Sequence, residues 1–143
     1  IADFEDEYKA DAVFIDFGYG TGLKSIGDGW GRTWQLIPFG GGSTDPQMLN
    51  KRGEMFNACK TWLKLGGALN DQETADDLSA AEYKVRVDGK IVMEPKEDIK
   101  ERLGRSPGKG DALLLTFAFP VAKKLNDPRQ QQGKAITDYD PWA

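Results

Sequence analysis

The feature that most constrains this chain is a short apolar run that ends in an acid and passes into glycines. The run covers residues 12–15, Asp16 follows it, and residues 18–22 read Gly-Tyr-Gly-Thr-Gly. A continuous apolar run of this length is typical of a strand that is buried on both faces. Glycines after the strand allow backbone or substrate to approach the acid. We therefore predict a central buried strand, a tight glycine turn and an acid at its end.

A second acid stands at the start of another apolar run. Asp111 precedes residues 112–115, which are all apolar. We predict a helix from Asp111 to Phe119, and a flexible loop over residues 106–110. Taken singly, Asp16 is explained as a strand-end cap and Asp111 as a helix N-cap. Taken together they predict a metal site, since Mg²⁺ and similar ions prefer oxygen ligands. Glu94, at the end of a predicted hairpin strand, is a weaker candidate.

Composition narrows the chemistry. The 143 residues suffice for one domain. Histidine is absent and Cys59 is the only cysteine, which excludes Ser-His-Asp catalysis, His-ligated or four-cysteine zinc and an internal disulfide. No apolar stretch approaches the length of a membrane span. Any catalysis must therefore rest on carboxylates, lysines, tyrosines or hydroxyl groups.

The order of predicted elements favours an α/β fold. An amphipathic helix ends near Asp11, a strand reaches Asp16, and a short helix is expected around residues 21–26. A second strand follows over residues 33–39, so we expect parallel pairing. The clearest helix spans Pro46 to Leu65, with Asp45 as its N-cap. An acidic helix near residues 73–78, a hairpin with a two-residue turn at 88–89, and a charged helix over 96–103 come next.

Basic residues concentrate in the same half of the chain as Asp111. Net charge is −4, yet residues 84–109 carry eight Lys and Arg against five Asp and Glu, or +3, which leaves −7 elsewhere. The first interpretation is ordinary surface charge. The alternative is a phosphate-binding surface beside the acids. The candidate DNA-binding residues are Lys51, Arg52, Lys84, Arg86 and Lys109.

With these residues in place, the chain resembles the nuclease domain of tailed-bacteriophage terminase large subunits. Four stretches carry the resemblance in the family's order: residues 11–22, 50–55, 94–102 and 106–113. Each stretch is weak alone, but the ordered set covers most of residues 10–121. The resemblance implies a ribonuclease H-like α/β fold, with a mixed sheet flanked by helices and a β-hairpin insertion.

The resemblance also implies a function. The implied function is that of a metal-dependent endonuclease, which cuts concatemeric double-stranded DNA with two Mg²⁺ or Mn²⁺ ions. Asp16 matches the family's second acid and Asp111 its last, so both are implied to be catalytic and metal-binding. The first acid lies on an opening strand upstream of Ile1, so we expect the opening strands to be missing. Gly108 stands where the family often has a further acid.

The same resemblance sets expectations for organisation and partners. Residues 1–122 are expected to form the incomplete nuclease domain, and residues 123–143 a polar tail. The implied partners are double-stranded DNA, the terminase ATPase domain, the small terminase subunit and the portal, with no membrane, in the host cytoplasm. Two alternatives stay open. One is another ribonuclease H-like nuclease, such as a junction resolvase or transposase. The other is a non-catalytic module that docks DNA or protein, in which the acids are caps.

Overall fold

Short helices and strands alternate along the chain, and a computed structural model describes residues 1–124. The elements are α1 (Ala2–Glu7), β1 (Phe14–Asp16), α2 (Phe17–Gly29), β2 (Gln35–Ile37), α3 (Lys51–Lys64), α4 (Gln72–Ser79), β3 (Tyr83–Val85), β4 (Ile91–Met93), α5 (Lys96–Leu103) and α6 (Gly108–Leu115). This mixture confirms the predicted α/β class. Of the predicted polar tail, residues 125–143 lie outside the described part of the chain.

β1 and β2 form the parallel pair that the sequence predicts. Asp16 is opposite Ile37 in the register, and the Gln35 amide donates to the Val13 carbonyl at 2.9 Å. Parallel neighbours need a crossover connection, which α2 provides. Ile15 is buried, whereas Phe14 and Asp16 are only half-buried. The strand is therefore fully buried on the face of Ile15 alone, and the expectation of burial on both faces is wrong.

The predicted glycine turn after Asp16 is wrong, because helix α2 begins at the next residue. Asp16 caps this helix, and its Oδ1 accepts the Gly18 amide at 3.0 Å. The glycines allow close helix packing: a Cβ on Gly20 would lie 2.4 Å from Ile15 Cγ2, and one on Gly27 would lie 2.5 Å from Trp34 Cε3. The helix thus places glycine against the strands and bulky side chains outward. The outward residues include Tyr19, Leu23, Ile26 and Trp30.

The core forms where α3 and α6 meet β2. Its fully buried members are Ile37, Met55, Cys59, Leu114 and Ala118. The predicted apolar face of α3 is confirmed, with Phe56, Trp62 and Leu63 partly buried around it. Burial raises the pKa of the Cys59 thiol, which suits a packing residue.

Helix α3 begins later than predicted, at Lys51. Its N-cap is Asn50, whose side chain accepts the Gly53 amide at 3.0 Å. Asp45, the predicted cap, lies in the preceding loop and accepts the Gln47 amide at 2.9 Å. Asp45 also binds Asn57 Nδ2 at 2.9 Å, so it holds the loop against α3.

The hairpin and α5 form where predicted, but the hairpin turn is longer. Arg86 donates its amide to the Lys90 carbonyl at 2.9 Å, which leaves three residues in the loop. Gly89 has φ +80°, the left-handed conformation that ends such three-residue loops. The prediction of a two-residue turn was therefore wrong by one residue.

Helix α6 begins three residues before Asp111, at Gly108. The Asp111 amide already donates to the Pro107 carbonyl at 3.0 Å. Asp111 thus lies inside the first turn and is not the N-cap. The flexible loop predicted for residues 106–110 is correspondingly shorter.

Helix α1 is held by a polar contact, and its apolar residues are outside. Phe4 and Tyr8 are exposed, while Glu5 is buried and accepts Trp34 Nε1 at 2.7 Å. This indole hydrogen bond, with help from Lys124 and Arg32, lowers the pKa of Glu5 against the effect of burial. The contact also fixes the Trp34 ring beneath Gly27.

Gly27→Ala should lower the free energy of unfolding by about 1–3 kcal/mol, the usual cost of overpacking. The new methyl group would collide with the Trp34 ring, which Glu5 holds in place. Urea unfolding followed by tryptophan fluorescence measures the change.

Gly22→Ala is the matched control on the same helix. A Cβ there meets nothing within 4 Å among residues 1–124, and alanine favours a helix over glycine by roughly 0.5–1 kcal/mol. This variant should equal or exceed the wild type in stability. If the two variants have equal stability, the packing explanation for the glycines is wrong.

Candidate functional site

Asp16 lies at the carboxyl end of a parallel strand, an edge at which α/β folds commonly bind ligands. Its side chain is half-buried, and Oδ1 is used to cap α2. The backbone of β1 holds the residue in register with Ile37. The predicted position of Asp16 at a strand end is confirmed. The same carboxylate also caps α2.

Asp111 is the more enclosed of the two predicted metal-binding acids, at 7% exposure. Its Oδ2 forms an ion pair with Lys96 Nζ, at the first residue of α5. That oxygen accepts no hydrogen bond within the described residues. A buried carboxylate without a compensating cation is costly. The Lys96 ammonium is therefore what stabilises the Asp111 charge in this structure.

The two acids lie on packed elements, because α6 contacts β1. Within residues 1–124, however, no three Asp, Glu or Cys side chains cluster in a way that could hold a metal ion. The joint binding of one ion or an ion pair by Asp16 and Asp111 stays a prediction.

Arg52 is buried beside Asp111 and does not lie on the surface. Its Nη1 donates to the Glu94 carbonyl at 2.7 Å, while Nε and Nη2 have no partner among the described residues. Burial lowers the pKa of Arg52, and the charges of Asp111 and Glu94 partly oppose that shift. The guanidinium thus adds positive potential near Asp111.

Lys51 is also buried, at 4% exposure. Its ammonium pairs with Glu54 at 2.7 Å and lies 4.0 Å from the centre of the Phe119 ring. Lys51 and Arg52 were predicted to contact DNA. Their burial and their internal partners favour a structural role, and contact with DNA stays a prediction for both.

Glu94, the weaker candidate acid, is engaged elsewhere. Its Oε1 accepts the Glu82 amide at 2.8 Å and pairs with Arg102. These contacts join β4 to α5 and to the start of β3. The carboxylate is therefore committed to holding the hairpin in place.

The remaining basic candidates divide into two groups. Lys84 and Arg86 are exposed on the hairpin, and Arg86 lies 3.6 Å from Asp88. Lys109 pairs with the acidic helix α4, at 2.7 Å from Glu73 and 3.3 Å from Asp71. The hairpin therefore presents its cations to solvent, whereas Lys109 is partly neutralised.

Sequence reasoning missed two residues around Asp111. Lys96 was counted only as part of a basic cluster, and Asp77 only as part of an acidic helix. The Asp77 carboxylate is fully buried and accepts the Gly110 amide at 3.0 Å. No local pattern identifies either residue, because both contacts join distant segments. The sequence shows only that Asp77 is one of several acids in a short predicted helix.

Comparison with solved structures identifies the architecture. The nuclease domain of the large terminase subunit gp2 of bacterial virus Sf6 aligns with a TM-score of 0.67 and 20% identity, over 84% of this chain and 70% of that one. A variant of that domain solved with manganese aligns with a TM-score of 0.68 and 20% identity, over 82% and 70% of the two chains. The same variant of gp2 was also solved with calcium, and that structure aligns with a TM-score of 0.68 and 20% identity, over 82% and 69% of the two chains.

The chain has the fold of a terminase nuclease domain. The predicted ribonuclease H-like fold is thereby confirmed. Within residues 1–124, however, the strands form one parallel and one antiparallel pair, and they do not form the single mixed sheet that was expected. At the level of sequence, no family model matches the chain, and no curated protein is significantly similar to it. The likeness therefore rests on three-dimensional structure.

Among the helices of residues 1–124, none combines the length and apolar character that crossing a membrane requires.

Glu54 stabilises the loop that precedes α3. Its carboxylate accepts the Thr44 amide at 2.7 Å and Ser43 Oγ at 3.0 Å, besides the Lys51 ion pair. Burial opposes the charge, but the hydrogen bonds from Lys51 and Thr44 outweigh it and lower the pKa of Glu54 to about 2.

The stability contributed by Glu54 should therefore depend on pH. Its folded pKa lies below the ordinary value of 4.5, so the contribution is fully present above about pH 4.5 and is lost as pH falls toward 2. Glu54→Gln should be less stable than the wild type at neutral pH, and the difference should shrink through that acid window. Urea unfolding across the pH range measures it.

Glu97→Gln, an exposed acid on α5, is the control and should stay within about 0.5 kcal/mol of the wild type at neutral pH. A Glu54→Gln deficit that is constant from neutral pH to pH 2 would show that the carboxylate charge is not what stabilises the loop.

Proposed function

We propose that this protein is a metal-dependent DNA endonuclease of a viral genome-packaging motor. The observation that carries the proposal is the shared fold with the Sf6 terminase nuclease domain. The placement of Asp16 at a parallel strand end and of Asp111 in a buried first helical turn supports it. The proposed substrate is concatemeric double-stranded DNA, and the proposed cofactor is Mg²⁺ or Mn²⁺.

The chemistry of the residues around Asp111 fits a hard divalent cation. The Asp111 carboxylate is buried, and the group in contact with its Oδ2 is the ammonium of a half-exposed lysine side chain. Oxygen ligands are what Mg²⁺ and Mn²⁺ prefer. Asp16 and Asp111 would hold the metal, with further oxygen ligands beyond this pair. Bound divalent ions would activate water and stabilise the leaving oxygen of the phosphodiester.

The chain's own residues have distinct tasks in this proposal. Asp16 and Asp111 supply negative charge, and their backbones hold them in fixed positions on β1 and α6. Lys96 neutralises Asp111 when no metal is bound, so a metal ion has to displace or share that contact. Arg52 is buried near Asp111, and its positive charge would attract an approaching phosphate.

The exposed hairpin is the proposed DNA surface. Lys84 and Arg86 extend from β3 and its turn into solvent, and phosphate contacts of this kind position a duplex without reading its sequence. The base of this hairpin is joined to α5, because Glu94 pairs with Arg102.

The proposal extends to partners by the likeness to a terminase domain. We infer association with a terminase ATPase domain, a small terminase subunit and a portal, and a location in the host cytoplasm. The alternative of a non-catalytic docking module predicts no metal requirement, and the experiments below separate the two.

Asp16→Asn and Asp111→Asn, made in the full-length protein, should each abolish cleavage of plasmid DNA. Asparagine keeps the shape of the side chain but removes the charge that binds a divalent ion. Affinity for DNA should hold or rise slightly, because less negative charge faces the phosphates. A plasmid-cleavage assay with Mg²⁺ or Mn²⁺ and a filter-binding assay without metal measure the two effects.

Asp98→Asn is the matched control, because Asp98 is an exposed acid on α5. It should cleave at the wild-type rate. Full activity of Asp16→Asn or Asp111→Asn would remove that residue from the catalytic site. A wild-type protein that binds DNA but neither binds Mn²⁺ nor cleaves would favour the docking module.

The double variant Lys84→Ala and Arg86→Ala should weaken binding to every DNA sequence alike. It should also reduce the slope of log affinity against log salt by about 2, because each lost phosphate contact releases about one counterion fewer. The control is Lys60→Ala with Lys64→Ala, two exposed lysines on α3, which should leave the slope unchanged. Equal slopes for both double variants would assign the hairpin to a protein partner.

A further inference from the structure

One fully buried acid lies outside the proposed ligand set. Asp77 is on α4, and its side chain has no exposed surface. Its Oδ2 accepts the Gly110 amide at 3.0 Å, and its Oδ1 accepts Arg105 Nη1 at 2.5 Å. Both contacts reach the segment of residues 105–110, which leads directly into Asp111.

The contact with Gly110 replaces a missing helix cap. The first amides of a helix have no partner inside the helix. Helix α6 follows Pro107, which provides no side-chain cap. Asp77 accepts one of these amides from another helix, and its negative charge suits the positive end of α6. The start of α6 is therefore held by α4.

The approach of the two helices at this point is close. Gly110 is buried, and a Cβ there would lie 2.7 Å from Asp77 Cβ. Any side chain at position 110 would push the two helices apart. Because Gly110 immediately precedes Asp111, its position determines where the Asp111 backbone lies.

We propose that Asp77 is a positioning residue that fixes the first turn of α6 and so holds Asp111 in place to bind a divalent metal. Lys96 holds the Asp111 carboxylate from α5, and Asp77 holds the preceding peptide from α4. This inference rests on the proposed function, because it assigns the contact to metal binding.

A helix cap alone would require only one acceptor oxygen. A buried charged pair contributes little to stability compared with well-packed apolar side chains. In Asp77, however, both carboxylate oxygens are used on the segment before Asp111. Partners that orient metal ligands in this way are commonly worth about 10–100-fold in metal affinity.

The test uses Asp77→Ala and Asp77→Asn in the full-length protein. Mn²⁺ affinity is measured by electron paramagnetic resonance, and amide exchange of residues 108–111 by hydrogen–deuterium exchange. Both are measured at a temperature at which every variant is folded by circular dichroism. Neither readout depends on DNA cleavage.

Asp71→Ala is the matched control. Asp71 caps α4 and accepts the Thr74 amide at 3.1 Å, so its loss destabilises the same helix. It accepts no hydrogen bond from Gly110 among the described residues, although it pairs with Lys109. This control therefore distinguishes a general destabilisation of α4 from the loss of the hydrogen bond between Asp77 and Gly110.

Asp77→Ala should weaken Mn²⁺ binding by about 10-fold or more and should speed amide exchange at Gly110. Asp77→Asn keeps an acceptor for the Gly110 amide, so it should retain Mn²⁺ binding to within a few-fold. Asp71→Ala should bind Mn²⁺ like the wild type. If Asp77→Ala does not fold, Asp77→Asn provides the test. The inference is overturned if folded Asp77→Asn loses as much Mn²⁺ affinity as Asp111→Asn does.

The outcomes distinguish this inference from the proposed function. Wild-type affinity for Mn²⁺ in Asp77→Ala, or equal losses in Asp77→Ala and Asp71→Ala, would overturn the positioning role and leave the nuclease proposal intact. Failure of the wild type to bind Mn²⁺ would overturn the nuclease proposal, and the positioning role with it. If the wild type does not bind Mn²⁺ and Asp77→Ala still shows faster amide exchange at Gly110, then Asp77 only caps α6.

Discussion

The packing of α6 against its neighbours is the constraint on which the candidate site depends. Leu114 is fully buried in the core that α3 and β2 share, so the helix cannot rotate without exposing it. That rotation also sets the direction of Asp111, one turn earlier on α6. The cost of exposing a buried leucine, about 1.5–3 kcal/mol, therefore helps to keep a carboxylate buried. The packing of Leu114 in the core therefore also determines the geometry of the candidate site.

The glycine-rich segment shows why the local sequence misled us at α2. Five glycines within residues 18–29 lower helix propensity, and a turn was the natural prediction. The helix forms because Gly20 and Gly27 allow α2 to lie directly on Ile15 and Trp34. Tertiary contact thus outweighs propensity. The strand before the segment, the parallel pairing and the position of Asp16 depend on apolar pattern alone, and those could be predicted.

The basic residues show a second limit of sequence reasoning. Counting charges between residues 84 and 109 correctly indicates a basic region, but it does not reveal which cations have internal partners. Arg105 and Lys109 face the acids of α4, and Arg102 pairs with Glu94. Only a structure separates these from the exposed Lys84 and Arg86. The partners are 8 to 38 residues away in sequence, beyond the reach of any helical or strand periodicity.

The environment of Asp111 has a consequence for how a metal ion would bind. Two cations, Lys96 in contact and Arg52 nearby, already compensate the carboxylate. A divalent ion would gain a ligand there only by competing with the Lys96 ammonium, which lowers the net gain from binding. The same cations would attract the phosphate that the ion must meet. In the proposed function, metal and DNA would therefore favour each other's binding, because the phosphate adds negative charge beside Lys96 and Arg52.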